Sequence, residues 1–244
     1  MALPRFLLPV VLTLLMIDAI IELAFVSSMV AWLHRTAGGD FRTVAPSTSS
    51  ELSFSLHGKP EGLLLNQGHT SNAAAGTAFV LVGLGGILAL ALRHRATTKG
   101  SAVDLSMVLY HAWLLSTILS VFLTLAALIY TFVVTNAHSG QTIDLDVAVS
   151  LDNRPYPNYV AYPLEQWTPE NWFSAFLGLQ LVEPHQRDDI EDHLMIMRAW
   201  KWNLVPLFIL GLVFSVVAVV DALSKRKSNN SRTKEQYVPV RRSV

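Results

Sequence analysis

Four long apolar stretches constrain this chain more than any other feature of its sequence. They cover about residues 6–32, 72–92, 106–135 and 203–223. An α-helix needs about 20 residues to cross the roughly 30 Å hydrocarbon core of a bilayer. Only 15% of the 244 residues are charged, against roughly 25% in soluble domains. The sequence therefore predicts an all-α membrane protein with a four-helix transmembrane bundle, formed by residues 1–223.

The distribution of charge predicts which side of the membrane each loop faces. The segment between the second and third stretches carries Arg93, Arg95 and Lys99 against Asp104. Lysine and arginine in short loops near span ends mark the cytoplasmic side. Both termini are therefore expected in the cytoplasm, and the two larger loops outside it, in a plasma membrane or an endomembrane. These outside loops are residues 33–71 and 136–202.

The C-terminal segment, residues 224–244, carries seven lysines and arginines against one acid. It has few apolar residues and is predicted to be a disordered, basic cytoplasmic tail. Anionic lipid is a simpler partner for such a tail than nucleic acid, and we expect no nucleic-acid binding.

Two segments of the outside loops alternate between apolar and polar residues, which is typical of half-buried strands. They are ELSFSLHG, residues 51–58, and TIDLDVAVSL, residues 142–151. Because a lone strand is unstable in water, we expect them to pair as a small antiparallel sheet. The alternative is that each packs on its own loop. The turn-rich segment HRTAGGDFRTVAPSTSS, residues 34–50, predicts a mobile region.

Two helices are predicted in the second outside loop. Thr168 and Pro169 form a helix start, and the helix is expected to run to about Leu181. It is either a short helix that lies on the outer surface of the membrane or caps the bundle, or an ordinary core helix of the outside-loop domain. The proline-rich segment before it, residues 154–167, is expected to be extended. A second helix is predicted from about Pro184 toward the fourth span.

The first apolar stretch contains two acids, Asp18 and Glu22, one helical turn apart on the same face. A carboxylate at the centre of a bilayer costs at least about 2.5–3.5 kcal/mol, so both should face the bundle interior or water. Because like charges this close repel each other, at least one acid is expected to be protonated at neutral pH.

The third apolar stretch contains the expected partners of these acids. Tyr110, Thr117, Thr124 and Thr131 recur every seven residues, and Ser120 lies between them. This spacing predicts a seam that faces other helices. Hydroxyls of Thr117, Ser120 and Thr124 would bond the acids in a polar clasp that fixes helix register. The alternatives are a proton or cation relay and pairing with another protein.

A possible metal site lies in the second outside loop. His185, Asp189 and His193 recur every four residues, and two imidazoles with a carboxylate can hold zinc or another transition metal. The alternative is a solvated acidic helix with incidental histidines. The chain has no cysteine, which excludes disulfides and thiolate ligands. We expect no cofactor and keep these three residues as the metal candidates.

The predicted layout resembles the claudin-like tetraspan superfamily, which includes fungal PalI-type plasma-membrane proteins. Both have four spans, internal termini and strand-like segments in the outside loops. The family hallmark of the first outside loop, a tryptophan followed by Gly-Leu-Trp and paired cysteines, is absent here. The stretches YPLEQWTPENWF and MRAWKWNLVPLFILG resemble uncharacterised four-span proteins of filamentous fungi. The resemblance implies no activity and transfers no functional residue.

These observations favour a non-enzymatic tetraspan scaffold or organiser that binds partners, or a second copy of itself, through its outside loops. The alternative is a small proton-linked transporter or channel subunit that uses Asp18 and Glu22. A membrane metalloenzyme built on the histidine-rich helix is the third hypothesis.

Overall fold

The computed structural model of this chain describes residues 4, 6–45, 52–99, 103–151, 153–157 and 166–236. Four of its helices are long and apolar enough to cross a membrane: Leu7–Arg35, Asn66–Arg95, Leu105–Ala137 and Pro184–Lys225. Apart from Phe6 at the first boundary, every predicted span lies inside one of them. The prediction of four long apolar helices is therefore confirmed.

The helices and strands follow one another in this order: α1 (Leu7–Arg35), β1 (Asp40–Ala45), β2 (Leu52–His57), α2 (Asn66–Gly76), α3 (Gly85–Lys99), α4 (Val103–Ala137), α5 (Leu145–Ser150), α6 (Pro169–Phe176), β3 (Gln180–Leu181) and α7 (Pro184–Gln236). A π-helical segment, Thr77–Leu84, joins α2 to α3. The chain divides into two compact units. The first unit is Met1–Ile17, Thr77–Phe122 and Phe208–Val244; the second unit is Asp18–Gly76 and Leu123–Leu207.

In the first unit, glycines of the second long helix allow close contact with neighbouring side chains. A Cβ atom at Gly83 would lie 2.7 Å from Met16, and one at Gly86 would lie 2.8 Å from the ring of Trp113. The Trp113 indole N–H also donates a hydrogen bond to the carbonyl of Val82, in the π-helical segment, at 3.1 Å. Small residues thus serve close packing here, as they commonly do between membrane helices.

The second unit contains a three-stranded antiparallel sheet in the order β2-β1-β3. Strand β1 pairs with β2 from Asp40 opposite His57 to Ala45 opposite Leu52. Strand β3, from the second outside loop, pairs with Thr43 and Val44 of β1. The predicted strand at ELSFSLHG is confirmed, and the sheet does combine the two loops, although the partners differ from those predicted.

The central strand β1 lies where the sequence predicts a mobile segment, and that prediction is wrong for residues 40–45. Phe41 and Thr43 are buried, 3% and 0% exposed, and they alternate with the exposed residues Asp40 and Arg42. This period of two is the strand pattern, but it is too short to outweigh the surrounding turn formers in the sequence. Residues 46–50 of the same stretch lie outside the described residues.

The predicted strand at residues 142–151 is also wrong, because Leu145–Ser150 is helix α5. Asp144 caps this helix, since its carboxylate accepts hydrogen bonds from the backbone N–H groups of Asp146 and Val147 at 2.9 and 3.3 Å. An aspartate cap contributes about 1 kcal/mol to a helix start. The cap and the burial of Ala148 outweigh the alternating pattern.

Helix α6 begins as predicted, with Thr168 accepting a hydrogen bond from the backbone N–H of Asn171 at 3.2 Å. It ends at Phe176 rather than at about Leu181. The chain turns at Gly178 and then forms β3, because the backbone N–H of Gly178 bonds back to the carbonyl of Ala175. Of the preceding proline-rich segment, residues 154–157 are non-helical, and 158–165 lie outside the described residues.

Helix α7 begins at Pro184 as predicted and continues through Pro206 to Gln236. The prediction of disorder is therefore wrong for residues 224–236, while 237–244 lie outside the described residues. Lysine, arginine and glutamate have good helix propensity, and extending an existing helix costs far less than starting one. An ion pair of 2.7 Å between Lys225 and Asp221 supports the extension.

One cluster of buried side chains, here called the aromatic core, joins the outside-loop elements to the adjoining ends of α1 and α7. Its members are Met29, Trp32, Leu33, Ala37, Phe41, Leu56, Ile143, Ala148, Tyr156, Trp167, Trp172, Phe173, Phe176, Leu179, Ile190, Leu194 and Met197. Trp172 and Phe176 of α6 are 0% exposed. Helix α6 therefore packs into the aromatic core.

Candidate functional site

The two acids of α1 point away from the exposed side of the helix. Asp18 is 9% exposed and Glu22 is 0% exposed, while their neighbours Ile17, Ile20 and Ile21 are 40–51% exposed. Both acids belong to the second unit. In a helix apolar enough to cross a membrane, a buried position keeps a carboxyl group out of the hydrocarbon.

Glu22 contacts α7. The side-chain amide Nδ2 of Asn203 donates a hydrogen bond of 3.1 Å to Glu22 Oε2. The indole of Trp200 lies beside the same carboxyl group, but its N–H is outside hydrogen-bond geometry. Glu22 is therefore joined to the fourth long helix by an uncharged partner.

Sequence reasoning assigned this partner to the third span and missed Asn203. The available signal was its position: it is the lone side-chain amide at the start of the fourth apolar stretch, directly after a Trp-Lys-Trp segment. Helix α1 leads into the first outside loop, and α7 leads out of the second. Glu22 and Asn203 therefore both lie in the parts of their helices nearer to the outside loops. Comparing depth along all four stretches would have favoured this pair.

Two carboxyl oxygens of the site have no hydrogen-bond partner in the described part of the chain. They are Asp18 Oδ2 and Glu22 Oε1, and both are buried. Leaving a buried polar atom without a partner costs on the order of 1–3 kcal/mol. Such groups are rare in proteins, and each requires an explanation, such as a bound water or a functional role.

The three predicted partners on α4 are all buried: Thr117, Ser120 and Thr124 are 2%, 6% and 3% exposed. Thr124 belongs to the second unit with the two acids, whereas Thr117 and Ser120 belong to the first unit. The hydroxyl of Thr117 donates to the carbonyl of Leu114 on its own helix at 2.7 Å. Its proton is therefore already used, and a bond from this seam to the acids stays a prediction.

The three metal candidates do not converge. His185 is on the surface and pairs with Glu183 at 3.2 Å. Asp189 and His193 instead contact Trp32: the indole N–H donates to Asp189 Oδ2 at 2.7 Å, and the His193 ring stacks on the indole with centroids 4.4 Å apart. Eight residues separate the two histidines, about 12 Å along a helix. No group of three possible ligands occurs among the described residues.

A second buried polar contact lies close to Asn203 along α7. Lys201 Nζ bonds the carboxylate of Glu170, at the start of α6, at 2.7 Å. Both side chains are nearly buried, 10% and 15% exposed, and Arg198 lies 3.8 Å from the same carboxylate. This ion pair ties α6 to α7 beside the aromatic core.

At the start of the central strand β1, Asp40 is held by polar neighbours outside the candidate spans. Asn153 donates a hydrogen bond of 2.6 Å to it, and His57 lies 3.1 Å away. The hydrogen bond from Asn153, with a smaller effect of His57, lowers the pKa of Asp40 below its usual value. In the core, burial raises the pKa of the Tyr156 hydroxyl, which accepts a hydrogen bond from the backbone N–H of Asp144.

Comparison with known proteins finds no match to a family model, to a curated protein or to a solved structure.

Proposed function

We propose that this chain is an integral, multi-pass membrane protein that acts as a non-enzymatic scaffold. It binds protein partners, or a second copy of itself, through a folded module built from its two outside loops. The observation that carries this proposal is the aromatic core. Residues of both loops, such as Phe41 and Trp172, pack in one cluster with Trp32 of α1 and Met197 of α7. A binding surface on this module is thus fixed to two of the four apolar helices.

The membrane orientation is part of the proposal. Four crossings place the two termini on the same side, and the basic segments 93–105 and 224–244 favour the cytoplasmic side. The module then faces the exterior or a lumen, in a plasma membrane or an endomembrane. The basic end of α7 is proposed to bind anionic lipid. The layout also supports, as a proposal, the likeness to claudin-like tetraspan proteins and to four-span proteins of filamentous fungi.

Because the chain has no cysteine, single cysteines can test the orientation cleanly. We expect Glu61→Cys, next to the sheet, and Ser228→Cys, near the end of α7, to react with a membrane-impermeant maleimide from opposite sides of sealed vesicles. Labelling of both from the same side would contradict the three crossings that the proposal places between residues 61 and 228.

Partner binding is tested by crosslinking the full chain in its native membrane and identifying the attached proteins. We expect a reproducible set that is lost in Trp172→Ala, which disrupts the module, and kept in Asp18→Asn/Glu22→Gln. A partner set that survives Trp172→Ala, or the absence of any partner or self-association, would overturn the scaffold proposal.

A proton-linked transporter or channel subunit is the second candidate. The specific observation in its favour is that one buried carboxyl oxygen of Asp18 and one of Glu22 have no hydrogen-bond partner among the described residues. Proton flux through proteoliposomes separates the two functions. The scaffold proposal expects no flux above that of empty liposomes. Flux that disappears in Asp18→Asn/Glu22→Gln, but not in the control Asp221→Asn, would favour the transporter instead.

A further inference from the structure

A cavity of about 430 Å³ lies in the second unit, next to the end of α1 that leads into the first outside loop. Its size falls within the roughly 300–1,000 Å³ of typical small-molecule sites. The final turns of α1, the first turn of α2, the start of α6 and one face of α7 line it. Neither acid of α1 is among the lining residues, although Trp200, whose indole lies beside the Glu22 carboxyl group, is one of them.

The cavity walls are mostly apolar. Val26, Met29, Leu33, Leu63 and Met197 contribute side chains, together with the ring of Trp200. Transfer of an acyl chain from water onto such a surface is favourable at about 0.8 kcal/mol for each buried CH₂ group.

The apolar lining continues to the protein surface. Val30 and Leu65 line the cavity and are also 47% and 43% exposed. Val30 lies on a helix that is apolar enough to cross a membrane. Entry past these residues therefore favours a lipid over a water-soluble metabolite as the ligand.

The polar part of the lining is cationic or neutral. Lys59, His34 and His69 line the cavity, and among the described residues no aspartate or glutamate does so. Lys59 makes no hydrogen bond or ion pair within the described part of the chain, although its side chain is only partly exposed. An ammonium group in this position favours a negatively charged headgroup.

A buried side-chain atom at the cavity also lacks a partner. Gln67 is 2% exposed, and its Nε2 donates to the carbonyl of Leu64 at 2.9 Å. Its Oε1 has no hydrogen-bond partner among the described residues. A small shift of this side chain would let Oε1 accept a hydrogen bond from a ligand hydroxyl or from a water beside the headgroup.

We propose that this cavity binds a single-chain anionic lipid, with the acyl chain against α1 and α7 and the negatively charged headgroup at Lys59. The headgroup is a carboxylate, as in a fatty acid, or a phosphate, as in a lysophospholipid. This site is independent of the scaffold function, because its occupation depends on the cavity and not on any protein partner.

Two glycines of α2 provide a matched pair of variants for the acyl chain. A Cβ atom at Gly68 would meet no atom within 4 Å, and Gly68 lines the cavity. Gly68→Leu therefore adds an apolar side chain at the cavity lining, at a position with room for its Cβ atom. Gly76 lies on the same helix, also has no atom within 4 Å of an added Cβ, and is not a lining residue. Gly76→Leu is the control.

The experiment uses the full chain in nanodiscs of neutral phosphatidylcholine with a photoreactive oleate. We expect crosslinks on residues 26–34 and 63–72 that unlabelled oleate competes away. Gly68→Leu should weaken the apparent affinity about tenfold, equivalent to ~1.4 kcal/mol, and Gly76→Leu should leave it unchanged. Thermal unfolding confirms that both variants are folded. Crosslinking that is not saturable, or that is equal in the two variants, would overturn the proposal.

Headgroup recognition is tested with Lys59→Gln and with Lys225→Gln as the control cation outside the cavity. Lys59→Gln should weaken competition by oleate about five- to tenfold, as expected for loss of one charge-assisted hydrogen bond. It should not change competition by monooleoylglycerol, an uncharged lipid with neither a carboxylate nor a phosphate. Stronger competition by oleate identifies a carboxylate, and stronger competition by lysophosphatidic acid identifies a phosphate. Equal competition by neutral and anionic lipids would contradict an anionic ligand.

Discussion

Two buried polar contacts lie two residues apart on α7, and they are satisfied to different extents. Lys201 meets the opposite charge of Glu170 at 2.7 Å. Asn203 offers Glu22 only a neutral amide at 3.1 Å, and Glu22 Oε1 has no partner among the described residues. Charge pairing and a hydrogen bond account fully for the first contact. The second contact fastens α1 to α7 while leaving part of the acid available for water or a proton.

The comparison separates two ways of joining helices in this chain. Where α6 meets α7, the contact is supported on one side by the aromatic core, and the ion pair fixes its register. Around Glu22, a single hydrogen bond from Asn203 carries the polar interaction between α1 and α7, and the other polar contact between these helices, from Trp32 to Asp189, lies in the aromatic core. Variants of the core, of the ion pair and of Glu22 should therefore differ in effect, in that order.

The largest effect is expected in the aromatic core. Trp172→Ala removes a ring that is 0% exposed and a hydrogen bond of 2.8 Å to the carbonyl of Gly58. The free energy of unfolding should fall by about 3–5 kcal/mol, measured by thermal or denaturant unfolding in detergent. The control is Trp202→Ala, since Trp202 is 60% exposed and should cost less than about 1 kcal/mol. Equal losses would contradict a module built around Trp172.

A smaller effect is expected when the ion pair is broken. Glu170→Gln leaves the nearly buried ammonium of Lys201 without its carboxylate, and the cost should be about 2–3 kcal/mol. Adding Lys201→Met to this variant should restore part of the stability, because no unpaired charge remains. Asp221→Asn, which breaks the exposed pair with Lys225, should cost less than about 0.5 kcal/mol. A loss in Glu170→Gln no larger than in this control would show the pair to be unimportant.

The stability lost on substituting Glu22 is expected to depend on whether the new side chain can accept a hydrogen bond. Glu22→Gln keeps an oxygen acceptor for Asn203 and should cost less than about 1 kcal/mol. Glu22→Leu leaves the Asn203 amide without its acceptor and should cost about 1–3 kcal/mol. Thermal unfolding of the two variants in the same detergent compares them directly. A clear loss in Glu22→Gln would mean that the charge of the acid is needed.

The smallest effect is expected in the pH dependence of stability that Asp40 contributes. The pKa of Asp40 is lowered in the folded protein, so folding favours its ionised form. This stabilisation is complete above the unfolded-state pKa, about 3.9, and is lost as the pH falls through the lower folded-state pKa. Asn153→Ala should remove the effect at neutral pH and leave stability nearly unchanged at pH values below the folded-state pKa of Asp40. Because Asp40 is well exposed, screening keeps the difference small.

The four long helices and the start of α6 could be predicted because their signals are local. An apolar run of about 20 residues and the Thr168-Pro169 helix start need no information about distant partners. The strand at β2 was predictable for the same reason, since its alternation is unopposed by any capping residue.

The remaining fold and most of the site depend on contacts between distant residues. At residues 142–151 the alternating pattern favours a strand, whereas the aspartate cap favours a helix. The burial of Ala148 in the aromatic core stabilises the helix. The burial of Glu22 follows from the cost of exposing a carboxyl group to lipid. Its pairing with Asn203, 181 residues away, does not follow, because several spans offer polar side chains.

A double-mutant cycle between Glu22 and Asn203 tests most directly whether the first-span acid is a structural contact. Unfolding free energies of the wild-type protein, Glu22→Leu, Asn203→Leu and the double variant are measured in the same detergent. We predict that each single change is costly and that the double variant recovers at least about 1 kcal/mol relative to their sum, because residues in contact couple by about 0.5–3 kcal/mol. Effects that add to within about 0.3–0.5 kcal/mol would contradict a contact between α1 and α7 through this acid.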